Sequence, residues 1–212
     1  MTSGWRQALH GAAGILAVAA LAGCALGPQA KEQPASYDLG PVRSHAAANP
    51  GIPATLLVPE ITAPVWLDGP GIVYRLDYDN AARPQSYTLS RWSAPPAALL
   101  THRLRGRFAP AVRGIVTSAH GARADYALRV ELEDFSQSFD APDRSRVAVR
   151  ARASLVDVAG RALIAQRAFA IERPAPSPDA RGAVAALAEA SDELIEQLLA
   201  WVGEGVKTPR AR

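Results

Sequence analysis

Apolar residues recur along the chain first at every second position, then at every third or fourth, and the alternation predicts strands, a helix, more strands and a closing helix. From Asp125 to Phe135 (DYALRVELEDF), Tyr126, Leu128, Val130 and Leu132 alternate with Ala127, Arg129, Glu131 and Glu133, the pattern of a strand with one buried and one wet face. Arg146 to Asp157 repeats it, with Val147, Val149, Ala151, Ala153 and Leu155 on one side and Arg146, Ala148, Arg150, Arg152 and Ser154 on the other. Ala159-Gly160 turns the chain into a third run, Ala162 to Glu172, so the three form an antiparallel meander. On its wet face Glu131 and Glu133 can pair with Arg150 and Arg152 across strands.

Upstream, Tyr37 to Gly40 and Ala54 to Val58 read as short strands, the second bounded by Pro53 and Pro59 and therefore buried or near an edge. Ile72 to Tyr78 and Gln85 to Ser90 read as a hairpin around the turn-like Asp79 to Pro84. A first helix is expected from Ser93 as N-cap, with Pro95 and Pro96 in its first turn, where a missing N–H is harmless. Ala97, Leu100, Leu104 and Phe108 form its core face, and Arg103, Arg105 and Arg107 a solvated one. The closing helix starts from Ser177 as N-cap, with Pro178 and Asp179 following. Val184, Leu187, Ala188, Ser191, Leu194, Ile195, Leu198 and Val202 form its buried stripe, and Glu189, Asp192, Glu193 and Glu196 its exposed one, with Gly203 and Gly205 ending it. The fold class expected is α+β, a two-layer sandwich in which a mainly antiparallel sheet carries two principal helices on one face.

A different pattern opens the chain. Arg6 precedes an uninterrupted apolar run, Ala12 to Ala22, too short to span a bilayer, which takes about 20 residues. The run ends in Leu21-Ala22-Gly23-Cys24, and Cys24 is the only cysteine. This reads as a lipoprotein signal peptide over residues 1–23, cleaved between Gly23 and Cys24, with the Cys24 thiol carrying diacylglycerol and its new amine a further acyl chain. Two or three chains anchor durably where one holds weakly. Ala25, where an aspartate would favour inner-membrane retention, points to the periplasmic face of an outer membrane. Residues 24–35 read as lipidated N-terminus and flexible tether, 36–205 as the domain and 206–212 as a disordered tail.

Composition narrows the function. Removal of the signal leaves about 190 residues, enough for one domain with a substantial core, and no second cysteine is present for a disulfide. The formal charge of +3 comes from 23 basic and 20 acidic residues that are evenly interspersed, too weak an excess to argue nucleic-acid binding. His10 falls in the signal, and His45, His102 and His120 are scattered without metal-ligand spacing. No GxSxG elbow or phosphate-binding glycine loop occurs. Asp77, Asp79 and Asn80 lack the glycine and distal glutamate of a calcium loop and read as a polar turn. The chain is thus expected to have no catalytic residues, no metal and no cofactor beyond its acyl chains.

Four further segments carry a resemblance: Tyr37 to Pro41 (YDLGP), Trp66 to Arg75 (WLDGPGIVYR), Arg91 to Ser93 (RWS), and the Ala-rich last helix with its Trp201-Val202 pair. In their order, behind a lipobox, they resemble the ABC-type transport auxiliary lipoproteins, the family that includes the lipoprotein of the paraquat-inducible (Pqi) system. The polar stretch Arg43 to Gly51 departs from the usual opening. The resemblance implies a noncatalytic outer-membrane docking subunit of an envelope transporter for lipids or hydrophobic solutes. Its partners would be a periplasmic mammalian-cell-entry (MCE) domain protein and, indirectly, an inner-membrane permease and ATPase, with self-oligomerisation possible. Trp66, Leu67, Tyr74 and Trp92 are candidates to face a partner or to lock the loops, since aromatics are favoured interface anchors. The alternatives are an outer-membrane assembly lipoprotein that binds a β-barrel, and a periplasmic lipoprotein enzyme whose polar residues converge in a cleft.

Overall fold

A computed structural model describes residues 33–41 and 51–207. Gly23, Cys24, the tether up to residue 32, the stretch 42–50 with His45, and residues 208–212 lie outside them. The elements in chain order are β1 (Ala35–Tyr37), β2 (Ile52–Leu57), β3 (Gly71–Leu76), the single helical turn α1 (Asp77–Asn80), β4 (Ala81–Trp92), α2 (Pro96–Phe108), β5 (Val112–Val116), β6 (Tyr126–Ala141), β7 (Arg144–Asp157), β8 (Ala162–Pro174) and α3 (Ala180–Lys207). Ala35, read as tether, already belongs to β1 and is paired with Ser90.

All eight strands join one sheet built around β6. On one edge β6 runs antiparallel to β7, which runs antiparallel to β8, the expected meander. Its other edge holds two strands end to end. β2 pairs with Tyr126 and Ala127, Thr62 bridges to Glu131, and β3 pairs with residues from Gln137 to Phe139, all parallel to β6. Residues 52–76 thus behave as one interrupted strand with a loop thrown out between Thr62 and Gly71. β5 lies parallel outside β2, β4 antiparallel outside β3, and β1 parallel outside β4. The sheet is therefore mixed, which corrects the mainly antiparallel expectation. Hydrophobic period reveals a strand and its buried face, but the parallel partners are far apart in sequence and no short turn announces them.

The expected inner face of β7 is buried along its length, with Val147, Val149, Ala151, Ala153 and Leu155 all fully buried, while on the other face Ala148 is buried as well. β6 keeps its phase through Leu132, then a register shift between Leu132 and Asp134 moves the buried set to Phe135, Gln137 and Phe139. One inserted residue reverses which side chains face the core. On the open face Arg152 pairs with Glu133 at 2.8 Å as expected, whereas Arg150 turns to Glu172 of β8, also at 2.8 Å. Pro53 sits at an irregularity in the β2–β5 register, and β2 is an internal strand between β5 and β6.

α3 packs across β6, β7 and β8, and α2 packs against α3 and β5. Leu187, Leu194, Ile195, Leu198 and Val202 meet the sheet, with Trp201 edge-on to Phe169 at 5.8 Å. The helix runs through Gly203 and Gly205 to Lys207 instead of stopping there. At Gly205 it comes so close to the sheet that a Cβ would stand 2.8 Å from Leu155 Cδ2.

Both helix starts differ from expectation. Pro95, with extended ψ, takes the N-cap position of α2 and has no side chain that could cap it; Ser93 lies two residues before it, its N–H donating to Tyr37 O at 2.6 Å. Asp179, not Ser177, caps α3: its Oδ1 accepts from Gly182 N at 2.7 Å and from the Ser177 hydroxyl at 2.8 Å. Those bonds, the Gly182 one foremost, hold the Asp179 carboxyl below its ordinary 3.8. A depressed folded pKa means a stabilisation complete above the unfolded value and lost as pH falls through the folded one. Asp179→Ala is expected to cost about 1 kcal/mol at neutral pH. In a series of urea titrations the gap from wild type should close as pH drops below 3.8.

Candidate partner-binding surface

The loop between the two halves of the interrupted strand is short and stiff. Val65–Leu67 form a 3-10 turn closed by Leu67 N to Pro64 O at 2.8 Å and Asp68 N to Val65 O at 3.2 Å. Leu67 is the anchor, 1% exposed. With Leu67 held inside, the two residues before it point out: Val65 is 90% exposed and Trp66 38%. The Arg75 guanidinium lies over the Trp66 ring, 5.1 Å from its centroid, and donates to Ala81 O at 3.0 Å, so the indole is steadied from behind.

Trp92 is the pivot beneath that loop. It is 1% exposed and packs on Phe135 at 5.6 Å between centroids. Its backbone N–H donates to Pro70 O at 2.7 Å, and Ser93 N reaches Tyr37 O. The YDLGP, WLDGP and RWS segments therefore meet at one corner of the fold. The Trp92 indole N–H has no acceptor among the described residues, so this side chain serves as apolar volume. Leu67 and Trp92 are thus core residues that lock the loop and do not present surface, since burial leaves them nothing to offer a partner.

Tyr74 stands between these cases. Its hydroxyl donates to Gln85 at 3.1 Å, while its ring rests 4.7 Å from Tyr87 and edge-on to Phe139 at 5.8 Å. The Tyr87 hydroxyl donates to Gln137 Oε1 at 2.7 Å, and Gln137 Nε2 to Ser145 at 2.8 Å. Burial first, then the negative charge of Asp179 and the neighbouring Tyr74, raises the Tyr87 phenol far above its ordinary value. Tyr87 is therefore a fixed neutral donor across β4, β6 and β7.

The arginines of α2 form the feature that the spacing hid. Arg103, read as solvated, is 4% exposed and makes two parallel bonds of 2.7 Å to the Asp192 carboxylate, itself read as exposed and in fact buried. Its remaining Nη1 donates to Leu39 O at 3.1 Å and Gly40 O at 2.9 Å. Arg105 holds Val58 O and Glu60, and Arg107 reaches Glu196 at 3.1 Å. The three side chains tie α2 to the exits of β1 and β2 and to α3. A signal was present: Arg103 stands on the same stripe as Leu100 and Leu104, and Asp192 follows Ser191 in the buried stripe of α3.

Among the described residues no three His, Cys, Asp or Glu side chains gather as a metal site. Asp77 pairs with Arg146 at 3.0 Å, and Asn80 Oδ1 caps Ala82 N, in keeping with a polar turn. His102 is exposed on α2, and His120 lies in a 3-10 turn, Ser118–His120, after β5. An open groove between β1 and α3 is lined by Tyr37, Asp38, Ser93, Val184, Ala188 and Glu189.

Solved structures share this fold at low identity. A protein from Xanthomonas campestris is 20% identical with a TM-score of 0.68, covering 82% of this chain and 94% of its own. An uncharacterised protein is 19% identical with a TM-score of 0.63, covering 81% and 99%. A hypothetical protein from Chlamydia trachomatis is 9% identical with a TM-score of 0.51, covering 73% and 98%. Comparison with curated proteins gives no match. The family model for the ABC-type transport auxiliary lipoprotein component matches residues 37–198, from β1 into the last turns of α3. The chain belongs to the family of ABC-type transport auxiliary lipoprotein components.

Proposed function

We propose that this protein is the lipid-anchored, noncatalytic docking subunit of an ABC-type envelope transport system for lipids or hydrophobic solutes, holding a periplasmic MCE-domain protein at the outer membrane. The family match over residues 37–198 carries the reading. Membrane attachment is assigned to acyl chains on Cys24. Among the described residues no helix is long and apolar enough to cross a membrane. The partner grips the Val65-Trp66 tip, which Arg75 backs. An indole held from below by buried Leu67 and steadied by Arg75 loses little freedom on binding, which is what an anchor residue requires.

Cross-linking in intact envelopes, followed by purification of the chain and identification of its partners, tests this. Wild type is expected to capture an MCE-domain protein, and Trp66→Ala to capture about tenfold less with its melting temperature unchanged. Cys24→Ser is expected to leave the membrane fraction. A β-barrel partner in place of the MCE protein would establish the assembly reading instead, and undiminished capture by Trp66→Ala would remove the indole from the interface.

A further inference from the structure

Among the described residues the sheet has three outer strands, β1, β5 and β8. Such a strand offers a row of unpaired N–H and C=O groups, and proteins blunt it with short length, proline, charge or a bulge. β1 and β5 are only 3 and 5 residues long. β8 runs for 13. A register shift between Leu155 and Val156 twists its first residues away, but from Ala165 onward it pairs regularly with β7. Between Ala165 and Ile171 it carries one charge, Arg167, and no proline. On the open face Gln166, Ala168 and Ala170 are exposed and mostly small, so little screens the backbone; on the other face Phe169 and Ile171 are buried.

We propose that the β8 edge from Ala165 to Arg173 is a docking site for an extended segment of a partner protein, which adds as a further strand and turns acidic side chains toward Arg167. The class of occupant follows from the backbone, because a straight row of alternating donors and acceptors is satisfied along its length only by another extended chain. Its charge follows from the arginines. Arg150, Arg152 and Arg173 nearby each have a carboxylate, at 2.8, 2.8 and 2.9 Å. Arg167 has its guanidinium over the Phe169 ring, 5.1 Å from the centroid, and no ion pair among the described residues. An acidic residue on the incoming strand supplies that partner, and a basic one there meets like charge. The site goes beyond the docking reading above. It lies across β7 from the edge of β6 that carries the Trp66 loop, and it holds or fails without any contribution from that loop.

The test uses the full chain in detergent and a synthetic peptide of alternating valine, threonine and glutamate, with amide hydrogen exchange as the readout. The peptide is expected to slow exchange of the outward-pointing β8 amides between Ala165 and Arg173 by about tenfold and to leave β1 and β5 unchanged. The same peptide with alternate amides N-methylated should have no effect, because it keeps the side chains and loses the strand bonds. Replacing its glutamates by lysine should weaken it several-fold, and Arg167→Glu should reverse that preference. Unchanged exchange at β8, or equal protection by the N-methylated peptide, overturns the site; equal protection by both charge forms overturns the acidic occupant.

Discussion

Asp192→Ala is expected to destabilise the fold by about 3–5 kcal/mol, because it leaves the Arg103 guanidinium buried with no counter-charge. With Arg103 4% and Asp192 9% exposed at the side chain, water cannot replace the lost carboxylate. In a domain of this size that corresponds to a fall in melting temperature of roughly 10 °C. Removing both charges should behave differently. Arg103→Met with Asp192→Leu fills the space with apolar atoms and regains much of the loss, as buried pairs commonly do when replaced whole. Recovery should stop short by about 1–2 kcal/mol, since Leu39 O and Gly40 O still lose their donor. Chemical denaturation of the two single variants and the double variant measures all three terms. A cost below 1 kcal/mol for Asp192→Ala would mean that the pair is solvated in solution.

That link also shows what the sequence could and could not disclose. β7 was legible because each buried side chain sits two residues from the next and its neighbours are polar or small. Leu67 and Trp92 were legible as important, but the sequence does not decide whether each faces a partner or the core, since an apolar side chain beside a turn looks the same in either place. Arg103 and Asp192 were misread because a charged residue counts as solvated until its partner is known, and here the partners are 89 residues apart. The parallel pairing of β2 and β3 with β6 was invisible for the same reason. Local pattern fixes which face of an element is apolar, whereas long-range pairing decides what that face, and any charge stranded on it, will meet.

Gly182→Ala is expected to lower stability by about 3 kcal/mol, although helix propensity alone predicts a gain of about 1 kcal/mol for the exchange. Gly182 lies in the first turn of α3, where the chain doubles back from Ser177. An added Cβ would stand 2.1 Å from Ser177 O and 2.7 Å from Ser177 N, and those are backbone atoms that no rotamer change can move aside. The Ser177–Asp179 segment must shift, and with it goes the Asp179 cap on Gly182 N. Loss of the cap accounts for about 1 kcal/mol and displacement of packed backbone for more. Gly106→Ala in α2 provides the contrast, since its Cβ would meet nothing within 4 Å. There propensity acts unopposed, and a gain of about 0.5–1 kcal/mol is expected. Thermal melts of the two variants should therefore move in opposite directions. If both rise, the turn before α3 is looser at Ser177 than described.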